Sequence, residues 1–345
     1  MTEKLTSIRD VTQLEEILSE PSPVLVRTLG DLGGDILVLG VGGKMGPTLA
    51  RMAKRACERA GTRRRVIGAS RFSSPTLESQ LQQWGIETAR CDLLDPESLA
   101  ALPEAENVVF MAGMKFGSSG KQWATWAINT FSPGLVANRY RKSRIVVFST
   151  GNVYGLSPVV NRGSREQDVL NPSGEYAMSC LGRERIFEHL SREHGTPMSI
   201  LRLNYASELR YGVLLDIAER VNAGLPVSLS MGHLNTIWQA EASAMSLQSL
   251  AVASSPPNVI NITGPELLSV RSVAKELANL LGKSVRFEGT ESSDALLSNG
   301  QKSYQLFGVP QIDSKQMIEW IAAWIKKGGP TLAKPTHFEE RGGNF

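Results

Sequence analysis

Short apolar runs alternate with longer amphipathic stretches along most of this chain. Ile36 to Leu39 is continuously apolar. Arg65-Val-Ile-Gly-Ala69, Ile86 to Asp92, Asn107 to Met111, Arg144 to Ser149, Pro197 to Leu203 and Val259 to Thr263 follow it. Runs of this length, bounded by turn-forming residues, read as strands buried on both faces. Between them apolar residues recur at helical spacing, from near Met45 through Ala56, over Trp123 to Tyr140, and over Val213 to Val221 and Ser272 to Leu281. Met317, Ile318, Ile321, Trp324 and Ile325 form the stripe of a last helix, capped by Asp313 or Ser314. Alternating strands and helices predict an α/β fold with a parallel sheet covered on both faces.

One stretch carries recognisable chemistry. After the first strand come Gly40, Gly43 and Gly46, and a helix opens near Met45. Glycines at this spacing let the backbone turn tightly and approach a pyrophosphate, and the new helix aims its free N–H groups at the phosphates. The loop, with Lys44 and Met45 inside it, is therefore expected to bind a dinucleotide in a Rossmann-type, doubly wound sheet. An acid at the tip of the second strand would receive the ribose 2′-hydroxyl of NAD. Ser70 and Arg71 stand there instead, and an arginine suits a 2′-phosphate, so NADP is preferred over NAD.

Composition narrows the remaining classes. With 37 Lys and Arg against 34 Asp and Glu, the net charge of +3 gives no reason to expect nucleic acid or a membrane surface as partner. No apolar run approaches the ~20 residues of a membrane span, and the opening Met-Thr-Glu-Lys-Leu-Thr lacks the apolar core of a signal peptide. Three scattered cysteines and four histidines suggest neither a disulfide framework nor a metal site. The expectation is a cytoplasmic protein without metal.

By the fifth strand the chain resembles a known family. Gly40-x-x-Gly43-x-x-Gly46, Asp92-Leu93, Phe148-Ser-Thr150-Gly-Asn-Val-Tyr154-Gly155, Asn171-Pro-Ser-Gly-Glu-Tyr176-Ala-Met-Ser179 and Leu306-Phe-Gly308-Val-Pro310 together resemble the extended short-chain dehydrogenase/reductases, the NAD(P)-dependent sugar epimerases and dehydratases. The likeness runs from about residue 35 to 328. It implies a Rossmann domain (31–205 and 236–263) interleaved with a smaller C-terminal substrate domain (206–235 and 264–328), in a homodimer. Outside these lie an N-terminal helical extension, 1–30, and a loosely attached tail, 329–345. The resemblance also implies an oxidoreductase or epimerase/dehydratase acting on a sugar nucleotide or a small sugar-derived hydroxy or keto compound. Asp92 and Leu93 would sit beside the adenine, Ala112 and Gly113 would line the cofactor, and Asn129 would support the site. Thr150 would hold the substrate oxygen and Tyr176 would exchange its proton. Lys115, Asn152 and Asn204 are expected substrate contacts.

At one position the chain departs from that pattern. Cys180 stands four residues after Tyr176, where the family has the lysine of its Tyr-x-x-x-Lys pair. A thiol offers little charge to a phenolate. Cys180 reads as a buried helix residue or, alternatively, as a reactive thiol. Lys115 could contact substrate or supply the missing charge. Arg183 lies on the same helical face as Tyr176, though Glu184 and Glu188 suggest surface ion pairs for it. Two functions therefore stand open: a slow or reduction-biased enzyme, and a catalytically impaired NAD(P)-binding protein with a structural or regulatory role.

Overall fold

Seven strands form the central sheet of the computed structural model, which describes residues 7–115 and 120–343. They are β1 (Ile36–Leu39), β2 (Val66–Ser70), β3 (Glu87–Arg90), β4 (Asn107–Phe110), β5 (Arg144–Thr150), β6 (Met198–Leu203) and β7 (Asn258–Ile262). Their spatial order is β7-β6-β5-β4-β1-β2-β3, and every pairing is parallel. Side chains alternate across a strand, so β1 feeds two cores. Ile36 and Val38 pack with Leu49 and Met52, whereas Leu37 and Leu39 pack with Phe110 and Val136. The doubly wound α/β fold read from the sequence is the observed one. The sheet order reverses between β1 and β4, which opens a crevice at the strands' C-terminal ends.

The N-terminal extension packs against the sheet domain. α1 (Val11–Leu18) and α2 (Pro23–Asp31) bury Leu14, Leu18, Leu25 and Leu29, and Arg55 of α3 (Gly46–Arg59) pairs with Glu16 at 3.1 Å. α4 (Pro75–Gln83) and α5 (Pro96–Ala100) follow β2 and β3. The helix expected over Trp123–Tyr140 comes in three pieces: α6 (Gln122–Trp126), a π-helical turn at Ala127–Phe131, and α7 (Ser132–Arg139). α8 (Gly174–His194) runs between β5 and β6. Beyond β6 come α9 (Val213–Asn222), α10 (Gln239–Gln248), α11 (Val270–Leu281), α12 (Gln301–Phe307) and α13 (Ser314–Lys326). Asp313 caps α13 by accepting from the Gln316 N–H at 2.7 Å, and Trp324 lies in the core.

The last residues differ from the expectation of a loose tail. Leu332 N–H donates to the Arg210 carbonyl at 2.9 Å, and Ser230 Oγ donates to the Glu339 carbonyl at 3.1 Å. Phe338 is buried, and Arg341 pairs with Asp294 at 2.5 Å. One apolar anchor between polar contacts straps the segment across the crevice. Among the described residues no helix is long and apolar enough to cross a membrane.

Candidate active site

The turn from β1 into α3 shapes the first half of the site. Gly40 adopts φ +85°, and a Cβ there would lie 2.7 Å from the Ala112 amide nitrogen. A Cβ on Gly46 would collide with the Val41 carbonyl oxygen, so only glycine lets the helix start this close to the strand. Met45 gives α3 no side-chain cap, which leaves the first helical N–H groups facing the crevice. From this loop a cavity of about 650 Å³ extends to the ends of β5 and β6. Its size and its glycine floor fit a dinucleotide.

At that far end the expected catalytic side chains meet. Thr150 ends β5, and its Oγ1 accepts from the Asn152 N–H at 3.2 Å while donating to Asn152 Oδ1 at 3.2 Å. Tyr176, in the first turn of α8, hydrogen-bonds Thr150 and Cys180. Its phenol is held above the ordinary tyrosine value by burial first and by Cys180 second, against the opposing pull of Arg183. Cys180 is fully buried beside Val153 and Tyr154, and burial pushes its thiol up. The structure thus favours the buried-residue reading of Cys180 over the reactive thiol.

Arg183 is the correction here. It makes no surface pair with Glu184 or Glu188; it is buried behind Tyr176. Its Nη1 donates to the Phe148 carbonyl at 2.7 Å and its Nη2 to Asn129 Oδ1 at 2.8 Å. Seven residues are about two turns of helix, so Arg183 shares the face of Tyr176 and its long stem reaches the crevice. Gly113 leaves it room, since a Cβ there would lie 2.9 Å from Nη2. Glu184, the next residue, instead accepts from Ser149 Oγ at 2.5 Å and pairs with Arg202 at 2.8 Å. This buried pair ties α8 to β5 and β6 and so fixes where Tyr176 stands.

The other predicted residues fall into three groups. Gly40, Gly43, Lys44, Met45, Gly46, Gly113, Lys115, Asn152 and Asn204 line the cavity. Asn204 is largely occupied, donating to Asn235 Oδ1 at 2.7 Å. Asn129 sits behind the wall in the π-helical turn, where it accepts from the Met114 N–H at 2.8 Å and donates to Ser179 Oγ at 3.0 Å. Ser70, Arg71, Asp92, Leu93 and Ala112 lie at the strand ends around the loop, outside the cavity lining. Asp92 accepts from the Leu94 N–H at 3.0 Å and shapes its own turn.

Several lining residues escaped the sequence reading. Glu15 of α1 reaches the cavity, where it pairs with Arg210 at 3.1 Å and accepts from Gln80 Nε2 at 3.1 Å. Tyr211 lies under Lys44, whose Nζ is 3.3 Å from the ring centroid. From the tail come Lys334 and Thr336, and Thr336 receives a 3.2 Å hydrogen bond from Lys115 Nζ on its carbonyl. Burial lowers Lys44 to about 7, helped by Lys115 and Lys334, and burial lowers Lys115 to about 8. None of these tail or extension residues carries a local motif.

A crevice at the sheet's reversal point, a glycine cradle and a Thr–Tyr pair beyond it define an NAD-dependent α/β enzyme. The family model described as the NAD dependent epimerase/dehydratase family matches residues 36–229, more than half of the chain, and the chain belongs to that family. Among solved structures it is similar to UDP-glucuronic acid 4-epimerase from Bacillus cereus in complex with NAD, with 18% identity and a TM-score of 0.70. That similarity covers 85% of this chain and 99% of the other. Thermus thermophilus UDP-glucose 4-epimerase in complex with NAD gives 18% identity and a TM-score of 0.69 over the same shares. Pal from Bacillus thuringiensis gives 16% and 0.70, again over 85% of this chain and 99% of that one. At these identities the likeness speaks to the fold. No curated protein matches the sequence.

Proposed function

We propose that this protein is an NAD(P)-dependent oxidoreductase or epimerase/dehydratase acting on a sugar nucleotide or a small sugar-derived hydroxy or keto compound. The observation that carries the reading is the Thr150–Tyr176 pair at the end of a cavity that begins on the glycine loop. Thr150 Oγ1 holds the substrate oxygen, and Tyr176 exchanges a proton with it. The bound nicotinamide supplies the hydride chemistry. Cys180 occupies the lysine's position without the lysine's charge, and Arg183, reaching in from one turn further along α8, provides the cation near the phenol. Burial and Cys180 outweigh that cation and hold the phenol above its ordinary value, so Tyr176 is a proton donor at neutral pH and reduction outruns oxidation there.

Two finer points belong to the same proposal. NADP is the preferred cofactor, because Arg71 is exposed at the end of β2 beside the glycine loop and no acid stands with it. The protein works as a homodimer, supported by the exposed Trp123, Trp126, Phe131 and Met178 on α6, the π-helical turn and α8. Bacillus cereus and Thermus thermophilus neighbours are epimerases of UDP sugars, which supports a sugar-nucleotide substrate. The test is a screen of sugars, sugar acids and sugar nucleotides for a change in nicotinamide absorbance. Turnover confined to compounds without a carbonyl or secondary alcohol contradicts the reading.

A further inference from the structure

The C-terminal tail enters the same cavity as the Thr150–Tyr176 pair. Leu332 and Thr336 line it together with Thr150, Tyr176 and Lys115. Thr336 is buried, and Asp216 of α9 holds it twice, accepting from its N–H at 2.7 Å and from its hydroxyl. The Thr336 carbonyl in turn accepts from Lys115 Nζ at 3.2 Å, and that nitrogen stands 5.9 Å from the Tyr176 ring centroid. Burial lowers Lys115 to about 8, while Asp216, Cys180 and Glu339 act against the fall. A desolvated ammonium needs acceptors and opposite charges around it. Of those around Lys115, the Thr336 carbonyl and Glu339 belong to the tail, and Asp216 is the tail's docking partner.

The tail also reaches the helix that carries the phenol. Ser173, the residue before α8, donates from Oγ to the Gly342 carbonyl at 3.1 Å. Gly343 lies so close to Gly174 that neither has room for a Cβ, and Tyr176 follows two residues later. The anchors that hold the tail in place are other residues. Phe338 is buried in the core, and Arg341 donates to the Ser230 and Asp294 carbonyls at 3.0 and 3.1 Å.

We propose that Thr336 is a positioning residue for Lys115, and that the site around Tyr176 is complete only with the tail docked. This rests on the reading of Tyr176 as the reacting group and deepens it by making the tail part of the site. Docking on Asp216 brings the Thr336 carbonyl to Lys115 and so sets an ammonium group beside the phenol. Release of the tail takes that acceptor and Glu339 away together, and water replaces them around the ammonium. The cation is then no longer held against the ring.

The test is an NMR titration of the full chain, isotope-labelled at lysine Cε, with Lys115→Arg identifying the Lys115 signal. In the parent that signal should titrate near about 8. Phe338→Ala removes the tail's apolar anchor, and faster hydrogen exchange at the Leu332 and Thr336 amides reports the release. Lys115 should then move up towards the ordinary lysine value of ~10.4, since burial is the first cause of its lowering. Phe338→Leu refills the anchor and should restore the parent titration. Should Phe338→Ala fail to fold, Arg341→Ala releases the tail by removing its contacts to Ser230 and Asp294. A Lys115 titration that stays in place while both amides exchange faster overturns the proposal, as does a parent Lys115 already at the ordinary value. A merely structural role for the anchor would lower the melting temperature and leave Lys115 unmoved. The titration requires no substrate, so a parent that turns over no sugar fails the functional reading without deciding this result.

Discussion

Arg183 Nη2 donates to Asn129 Oδ1 at 2.8 Å, and the two residues stand 54 positions apart. The pair joins α8 to the π-helical turn directly behind Tyr176. Asn129 is fixed in turn by Met114 and Ser179, so the guanidinium has one place to be. The contact holds a cation near the phenol, where it draws against the upward push of burial and Cys180.

Arg183→Met should lower kcat by about 10- to 100-fold, in line with the loss of an electrostatic partner to a proton-transfer group. Removing the positive charge disfavours the phenolate, so the pH at which oxidation accelerates should move upward. The variant also takes the Arg183 donor from the buried Phe148 carbonyl, at about 1–3 kcal/mol, whereas Asn129 Oδ1 keeps the Met114 N–H. Steady-state pH profiles beside thermal melts separate the two effects. Cys180→Lys placed in the Arg183→Met background should recover part of kcat, whereas a purely structural role for Arg183 predicts no recovery.

Tyr176 is raised by burial and by Cys180. Its protonated form therefore persists above the ordinary tyrosine value of ~10. The rate of reduction should be flat across neutral pH, and that of oxidation should climb continuously into alkali. An oxidation rate that levels off near neutrality would show that something other than Arg183 lowers the phenol.

Asp216 of α9 accepts hydrogen bonds from the backbone N–H of Thr336, at 2.7 Å, and from its hydroxyl. Burial raises this carboxyl to about 6. Folded Asp216 thus binds its proton more readily than an unfolded aspartate, with its value near ~4. The stability it contributes is fully present below ~4 and is lost as pH rises through about 6. Protection of the tail from proteolysis should fall over that interval, and Asp216→Asn should flatten the dependence. A tail equally protected throughout would show that Asp216 does not govern its docking.

Gly46→Ala places a methyl group against the Val41 carbonyl. The start of α3 must shift, and we expect a loss of about 2–4 kcal/mol in stability, typical of backbone strain combined with overpacking. Cofactor affinity should fall by about tenfold or more, because the loop's N–H groups leave their register. Thermal melts with and without NAD report both.

Arg71→Ala should weaken NADP by about tenfold while leaving NAD nearly unchanged, the signature of a 2′-phosphate contact. An equal effect on both cofactors, or tighter binding of NAD by the parent chain, sinks the proposed preference.

Much of this architecture is written locally. Strands such as Ile36–Leu39 and Asn107–Phe110 are buried on both faces and so read as apolar runs, and the β1–α3 turn requires glycines that a sequence displays. Thr150 and Tyr176 were legible because their neighbours carry family motifs. Arg183 was not, since Glu184 and Glu188 beside it imitate a solvated face, whereas its partners lie on β5 and the π-helical turn. The break at Ala127–Phe131 left the helical periodicity undisturbed and is likewise invisible in sequence. Glu15, Lys334 and Thr336 reach the cavity from the two ends of the chain. Only tertiary packing brings them there, through Phe338, Arg341 and the contacts of α1 with α3, and no local pattern encodes that meeting.

The most direct test of the central claim compares the parent chain with Tyr176→Phe in the presence of cofactor and a panel of sugar nucleotides and acidic sugars, by nicotinamide absorbance. The account predicts turnover of at least one carbonyl or secondary-alcohol substrate by the parent. It predicts about a hundredfold or greater loss in Tyr176→Phe, with cofactor affinity unchanged. A parent that binds cofactor yet turns over no member of the panel at any pH, or a Tyr176→Phe variant as fast as the parent, would contradict it.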